Sequence, residues 1–145
     1  MDMAMKSYYI GLGSNLGETK EHLLKAVALM NERVGCVSAL SSFYETEPWG
    51  FTSTHQFTNA VCLLQSELEP LDLLNALQRI ERDMGRTRKS VEGRYEDRII
   101  DLDILIALDD MGHESVFSDA RLTLPHPLMQ QRDFVMIPLN ELRNR

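Results

Sequence analysis

Apolar residues alternate with polar or small ones at some places along this chain and recur every three to four positions at others, and the order of these patterns predicts a fold. Residues 8 to 13 (YYIGLG) read as a short strand ending at a glycine-bearing turn. Leu23, Val27, Met30 and Val34, at spacings of four, three and four, predict a helix after it. Residues 37 to 46 and 57 to 65 are β-favouring runs separated by EPWGFTSTHQ, which is too long for a tight hairpin and rich in turn formers. PLDLLNALQRIERDMG places Pro70 at a helix start, repeats Leu73, Leu74, Leu77, Ile80 and Met84 on one face, and stops at Gly85. The run 99 to 107 alternates again, which predicts a strand with Ile100, Leu102, Ile104 and Ile106 on one face and Asp101 and Asp103 on the other.

The predicted order is β-α-β-β-α-β. That is the split βαβ, ferredoxin-like arrangement of the α+β class, with helices packed on one face of an antiparallel sheet. After Asp109 a polar, hairpin-like stretch leads to RLTLPHPLMQQRDFVMIPL, read as short C-terminal additions: a strand, then a short helix from about Pro127. No internal repeat, low-complexity tract or Pro/Gly linker divides residues 1–145, so a single domain is expected. A chain of this length buries about 70% of the surface its unfolded form exposes and needs no covalent staples. Fold alone names no activity.

The two acids on the last strand change the picture. Residues two apart on one strand face lie about 6 to 7 Å apart, close enough to share one or two cations. A solvated face of a half-covered strand explains the same pattern equally well. Charge distribution tilts the balance. The net charge of −7 argues against a general nucleic-acid binder, which needs an extensive cationic surface. Yet no Lys or Arg occurs between Val34 and Gln78, whereas Arg79, Arg82, Arg86, Arg88, Lys89, Arg94 and Arg98 supply seven of the fifteen. Arg79 and Arg82 are accounted for by ion pairs at a helix end. The others place a cationic loop directly before the acidic strand.

Other chemistry is thin. GLGSNLG lacks the Lys-Ser/Thr of a phosphate loop, and Leu16 stands where the dinucleotide fingerprint needs glycine, so a strand-to-helix turn with Asn15 or Thr19 near the helix start is expected. His22, His55, His113 and His126 have no metal-ligand spacing. Cys36 and Cys62 match no zinc pattern and fit a reducing, cytoplasmic setting. There is no secretory core and no run of 18 apolar residues, so no membrane association is expected. A hard cation fits better than a transition metal, since magnesium takes one or two carboxylates, waters and substrate phosphates. Acids beside arginines also suit phosphoryl transfer, where the protein chiefly positions groups and neutralises charge.

GSNLG, SSFYETEPWG, FTNAV, GRTRK at 85 to 89, RYEDRIIDLDIL and LTLPHPLMQQRDF, in this order along nearly the whole chain, resemble the 6-hydroxymethyl-7,8-dihydropterin pyrophosphokinases of folate biosynthesis. The resemblance implies transfer of an intact pyrophosphoryl group from ATP to the pterin hydroxymethyl, with release of AMP and use of two Mg2+ ions. It implies metal binding by Asp101 and Asp103, and phosphate engagement by Arg86 and Arg98. Phe57 and Phe134 match the aromatics that sandwich the pterin, Asn59 the residue that bonds its polar edge, and backbone around Thr46 and Trp49 assists. Gln78, Glu81, Ile104, Arg121, Thr123 and His126 match positions lining the ATP site. The loop 86 to 97, with Lys89 and Tyr95, is expected to form a lid, although it reads Tyr95-Glu96-Asp97-Arg98 where many members have an aromatic-Gly-Pro-Arg sequence. Two competing readings use the same residues: two-metal phosphodiester hydrolysis, with water as nucleophile, and a ferredoxin-like small-ligand sensor in which the acids are only solvated.

Overall fold

The computed structural model describes residues 5–46, 56–85 and 99–145. Its elements follow the predicted order: β1 (Lys6–Ser14), α1 (Thr19–Arg33), β2 (Cys36–Leu40), β3 (Tyr44–Thr46), β4 (Phe57–Ser66), α2 (Pro70–Asp83) and β5 (Asp101–Leu108). Short strands β6 (Glu114–Ser115), β7 (Phe117–Asp119) and β8 (Leu122–Leu124), a 3-10 turn (Met129–Gln131) and α3 (Asp133–Arg143) complete it. The main sheet runs β2-β4-β1-β5-β6, with β3 also on β4, and its pairings are antiparallel; β7 and β8 form a separate pair. This is the ferredoxin-like order. The single β-favouring run 37 to 46 is divided between β2 and β3, because Ser41, Ser42 and Phe43 leave the extended ladder between them.

Alternation decides what each face of the sheet receives. Tyr8, Ile10 and Leu12 of the central strand β1 point to one side, where Leu23, Ala26 and Met30 of α1 and Leu73, Leu77 and Ile80 of α2 close over them. Pro70 starts α2, where its missing N–H costs nothing, and Gly85, at φ +110, ends it. The opposite side is covered only in part. There α3 and the 3-10 turn bury Val61, Leu105, Ile106, Met129, Val135, Leu139 and Leu142. The short helix expected from about Pro127 is thus a turn at 129–131 followed by the three-turn α3.

One side-chain assignment is corrected. Ile10 stands opposite Ile104, but Tyr9 stands opposite Ile106, so Leu105 is an extra residue, a β-bulge. The bulge reverses the alternation beyond it. Ile100, Leu102 and Ile104 face the helical core as expected, whereas Ile106 faces α3 and Ala107 takes its place among the residues under α1 and α2. Among the described residues no helix is long and apolar enough to cross a membrane.

Candidate active site

Where α3 stops covering the sheet, a pocket opens. It is lined by Gly11, Leu12 and Gly13 of β1, Phe57 to Val61 of β4 except Thr58, Asp101, Asp103 and Leu105 of β5, and Arg132, Phe134 and Val135 at the start of α3. Its empty space, open mouth included, is about 540 Å³. The register explains the shape. Gly13 stands between Asn59 on β4 and Asp101 on β5, and Gly11 stands opposite Asp103. Glycine at both places leaves a floor of bare backbone between the amide on one side and the two carboxylates on the other. A Cβ at Gly13 would lie 3.0 Å from Asn59 Oδ1 and 3.6 Å from the Phe57 ring, so a side chain there would push the walls apart.

The walls combine flat, apolar and polar groups. Phe57 comes from the sheet and Phe134 from the helix, while Asn59 is 4% exposed and offers an amide able both to donate and to accept. Arg132, at the residue preceding α3, is 2% exposed, with its guanidinium carbon 5.6 Å from the centre of the Phe134 ring. Burial lowers its pKa below the ordinary arginine value, although an arginine side chain stays charged in practice. Asp101 and Asp103 are half-buried on the pocket side of β5.

Supporting contacts come from the other face and from the chain beyond β5. Glu81 of α2 is 4% exposed, and its Oε2 accepts a 2.8 Å hydrogen bond from the Leu102 N–H, between the two acids. It therefore ties the acid-bearing strand to the helix behind it. His126 donates its backbone N–H to the Leu105 carbonyl at 2.8 Å, and its Nδ1 accepts from the Leu128 N–H at 3.2 Å. Burial lowers the His126 pKa from 6.5, while the negative charge of Asp101 pulls it back up.

The structure brings together Phe57, Asn59, Asp101, Asp103 and Phe134 in one pocket. Arg121 lies apart, on the β7–β8 connection, where it donates to Asn75 Oδ1 of α2 at 2.5 Å, one turn from Gln78. Thr123 is exposed on β8, and Ile104, at 2% exposure, packs in the helical core rather than in the pocket. Trp49, Arg86, Lys89, Tyr95 and Arg98, and the side chain of Thr46, lie outside the described residues. Arg132, Gly11 and Gly13 are pocket residues that the sequence reading did not single out.

Fold and pocket together define an α+β domain with a pocket on the partly open face of its sheet. Residues 9–144 match the family model of 7,8-dihydro-6-hydroxymethylpterin-pyrophosphokinase (HPPK), and the chain belongs to that family. It is 50% identical over 141 residues to a 2-amino-4-hydroxy-6-hydroxymethyldihydropteridine pyrophosphokinase of Porphyromonas gingivalis, covering 95% of this chain and 91% of that one. A protein of the same name from Bacillus subtilis is 40% identical over 135 residues, covering 92% of this chain and 76% of its own. Among solved structures, an HPPK-DHPS in complex with substrates superimposes with a TM-score of 0.70 at 14% identity. That match spans 94% of this chain and 40% of the larger one, and it speaks to the fold.

Proposed function

We propose that the pocket between β4, β5 and α3 receives the pterin and that Asp101 and Asp103 face the phosphates of ATP beside it. The reaction is that of the family: pyrophosphate passes from ATP to the hydroxymethyl group of 6-hydroxymethyl-7,8-dihydropterin, and AMP is released. The observation that carries the assignment is the convergence on one bare-backbone floor of two aromatic rings, a buried amide and a carboxylate pair. Phe57 and Phe134 suit the faces of a flat heterocycle, and the Asn59 amide suits its edge of alternating donors and acceptors. The apolar walls keep water from the acceptor hydroxyl, so that the pterin oxygen rather than water meets the β-phosphorus. As that bond forms, the bond between the β-phosphorus and the α,β-bridging oxygen breaks, the oxygen leaves as part of AMP, and the hydroxyl proton goes to solvent.

The acid pair fits magnesium. Two hard carboxylate donors face the glycine floor, and among the described residues no three His, Cys, Asp or Glu side chains gather as a metal cage. A cation held by this pair would therefore draw its other ligands from phosphate oxygens and water, the usual habit of magnesium. Once bound there, it would neutralise the phosphate charge that otherwise repels an incoming oxygen. Arg132 adds a buried positive charge to the same pocket. Arg86 and Arg98 are proposed from the sequence to engage the phosphates from the loop before β5.

Incubation with ATP, Mg2+ and 6-hydroxymethyl-7,8-dihydropterin tests the reading. AMP and pyrophosphorylated pterin should appear in equal amounts. ATP breakdown without a pterin product would transfer the site to hydrolysis, and pterin binding without turnover would reduce it to a sensor.

A further inference from the structure

Seven residues beyond Phe134, two helical turns along the same face of α3, stands Glu141. Its carboxylate gathers four donors from two other parts of the chain. Tyr44 Oη donates to Oε1 at 2.5 Å, the Ser42 N–H reaches both oxygens at 3.1 Å, Ser42 Oγ donates to Oε2 at 3.3 Å, and the Arg145 guanidinium bonds Oε2. Arg145 also donates to the Leu40 carbonyl at 3.2 Å, at the end of β2. Hydrogen bonding from Tyr44, supported by Ser42 and Arg145, holds the Glu141 pKa down at about 2, so the group is a carboxylate at any ordinary pH.

The partners are placed as well as the carboxylate. Tyr44 stands opposite Asn59 in the β3–β4 ladder. Ser41, next to Ser42, exchanges bonds with Val61: its N–H donates to the Val61 carbonyl at 2.9 Å, and its Oγ accepts from the Val61 N–H at 3.0 Å. Asn59 and Val61 both line the pocket. One carboxylate thus joins the helix that carries Phe134 to the segment paired with the strand that carries Asn59.

We propose that Glu141 is a positioning residue for pterin binding, a clasp that fixes the distance between the Phe134 wall and the Asn59 wall while touching no substrate itself. It rests on the reading of the pocket as the pterin site. An aromatic slot is sensitive to its width, because dispersion contact falls off within a fraction of an ångström to an ångström of gap. A helix held at one end only by apolar contacts can slide over a sheet, whereas directional bonds from three donors of Ser42 and Tyr44 to one helix carboxylate fix its position. Loss of the clasp should therefore weaken pterin binding and leave the ATP site, on the β5 side, unaffected.

The test is a double-mutant cycle by calorimetry, titrating 6-hydroxymethylpterin into protein holding Mg2+ and α,β-methylene-ATP. Glu141→Ala should weaken pterin binding about tenfold, with ATP-analogue affinity changed less than about twofold. In a Phe134→Ala background the same change should have little further effect, because the wall it positions is gone. Tyr44→Phe, which removes one bond and preserves the ring, should give a smaller loss, and Glu141→Gln, which keeps one acceptor oxygen for Tyr44 Oη and the Ser42 N–H, should recover part of the affinity. Equal losses from Glu141→Ala in both backgrounds, or a lowered melting temperature with unchanged pterin affinity, would overturn the clasp. If Glu141→Ala does not fold, the Tyr44→Phe and Phe134→Ala pair completes the same cycle and decides the same question. Failure of the unsubstituted protein to bind the pterin would instead overturn the pocket assignment, and the clasp with it.

Discussion

The two faces of the sheet are built from the same strands yet do different work. On the α1/α2 face, Tyr8, Ile10, Leu12, Leu102 and Ile104 are almost fully buried under two helices whose apolar stripes match them, a continuous dry core. On the other face α3 covers only part of the sheet, and the part that lines the pocket carries Asp101, Asp103, Asn59 and two glycines. A central strand can thus serve stability with one set of alternate residues and chemistry with the other. The comparison predicts that substitutions on the two faces separate cleanly into losses of stability and losses of activity.

The largest expected effect tests the dry face. Leu77→Ala removes a fully buried side chain from between α2 and the sheet and should cost about 2–5 kcal/mol of unfolding free energy, measured by urea titration. The rate constant of the fraction still folded should change little. On the other face, Asp101→Asn and Asp103→Asn should each lower turnover by a factor on the order of a hundred or more while leaving the melting temperature unchanged or slightly raised, since each relieves a carboxylate pair. Near-normal rates at saturating Mg2+ would remove the acids from the chemistry and blur the two faces. Next in size, Phe134→Ala and Asn59→Ala should weaken pterin binding by about tenfold without an equal loss for an ATP analogue. Parallel losses for both ligands would indicate a folding defect.

The smallest effect is a pH dependence at the edge of the wet face. Burial lowers the His126 pKa below 6.5, so the unfolded chain takes up its proton first as pH falls. The stability this group contributes is complete above pH 6.5 and declines as pH drops from there through the lowered folded value. Melting temperatures recorded between pH 8 and 5 should show that decline, and His126→Gln should flatten it. Because Asp101 opposes the shift, Asp101→Asn should extend the decline to lower pH.

How much of this was legible in the sequence depended on whether each feature has a period. The helices at Leu23 to Met30 and Leu73 to Ile80, and the Asp101 and Asp103 face, follow directly from spacing. Alternation puts Ile106 on the helical face, whereas the bulge at Leu105 leaves the pattern intact on paper and reverses it in space. Arg132 escaped because it is an isolated arginine far from the cationic run, and its burial depends on the fold of α3 over β4. Gly11 and Gly13 fall in the predicted first strand, but nothing local marks them as a floor, because the flanking strands that give them a role arrive about 50 and 90 residues later. Nothing in the pattern of α2 shows that Glu81 also bonds the backbone between the two acids, because Leu102 follows it 21 residues later.

The glycine floor has a consequence for inhibitors and the resistance they provoke. A planar compound resting on the peptide groups of residues 11 and 13 touches main chain, which point mutation cannot rewrite. Evasion would require adding a side chain, and at Gly13 the first carbon of any such side chain arrives 3.0 Å from the Asn59 oxygen. A substitution that blocked the compound in this way would disturb the amide proposed to hold the pterin edge, so the escape route and the loss of function begin at a single methyl group.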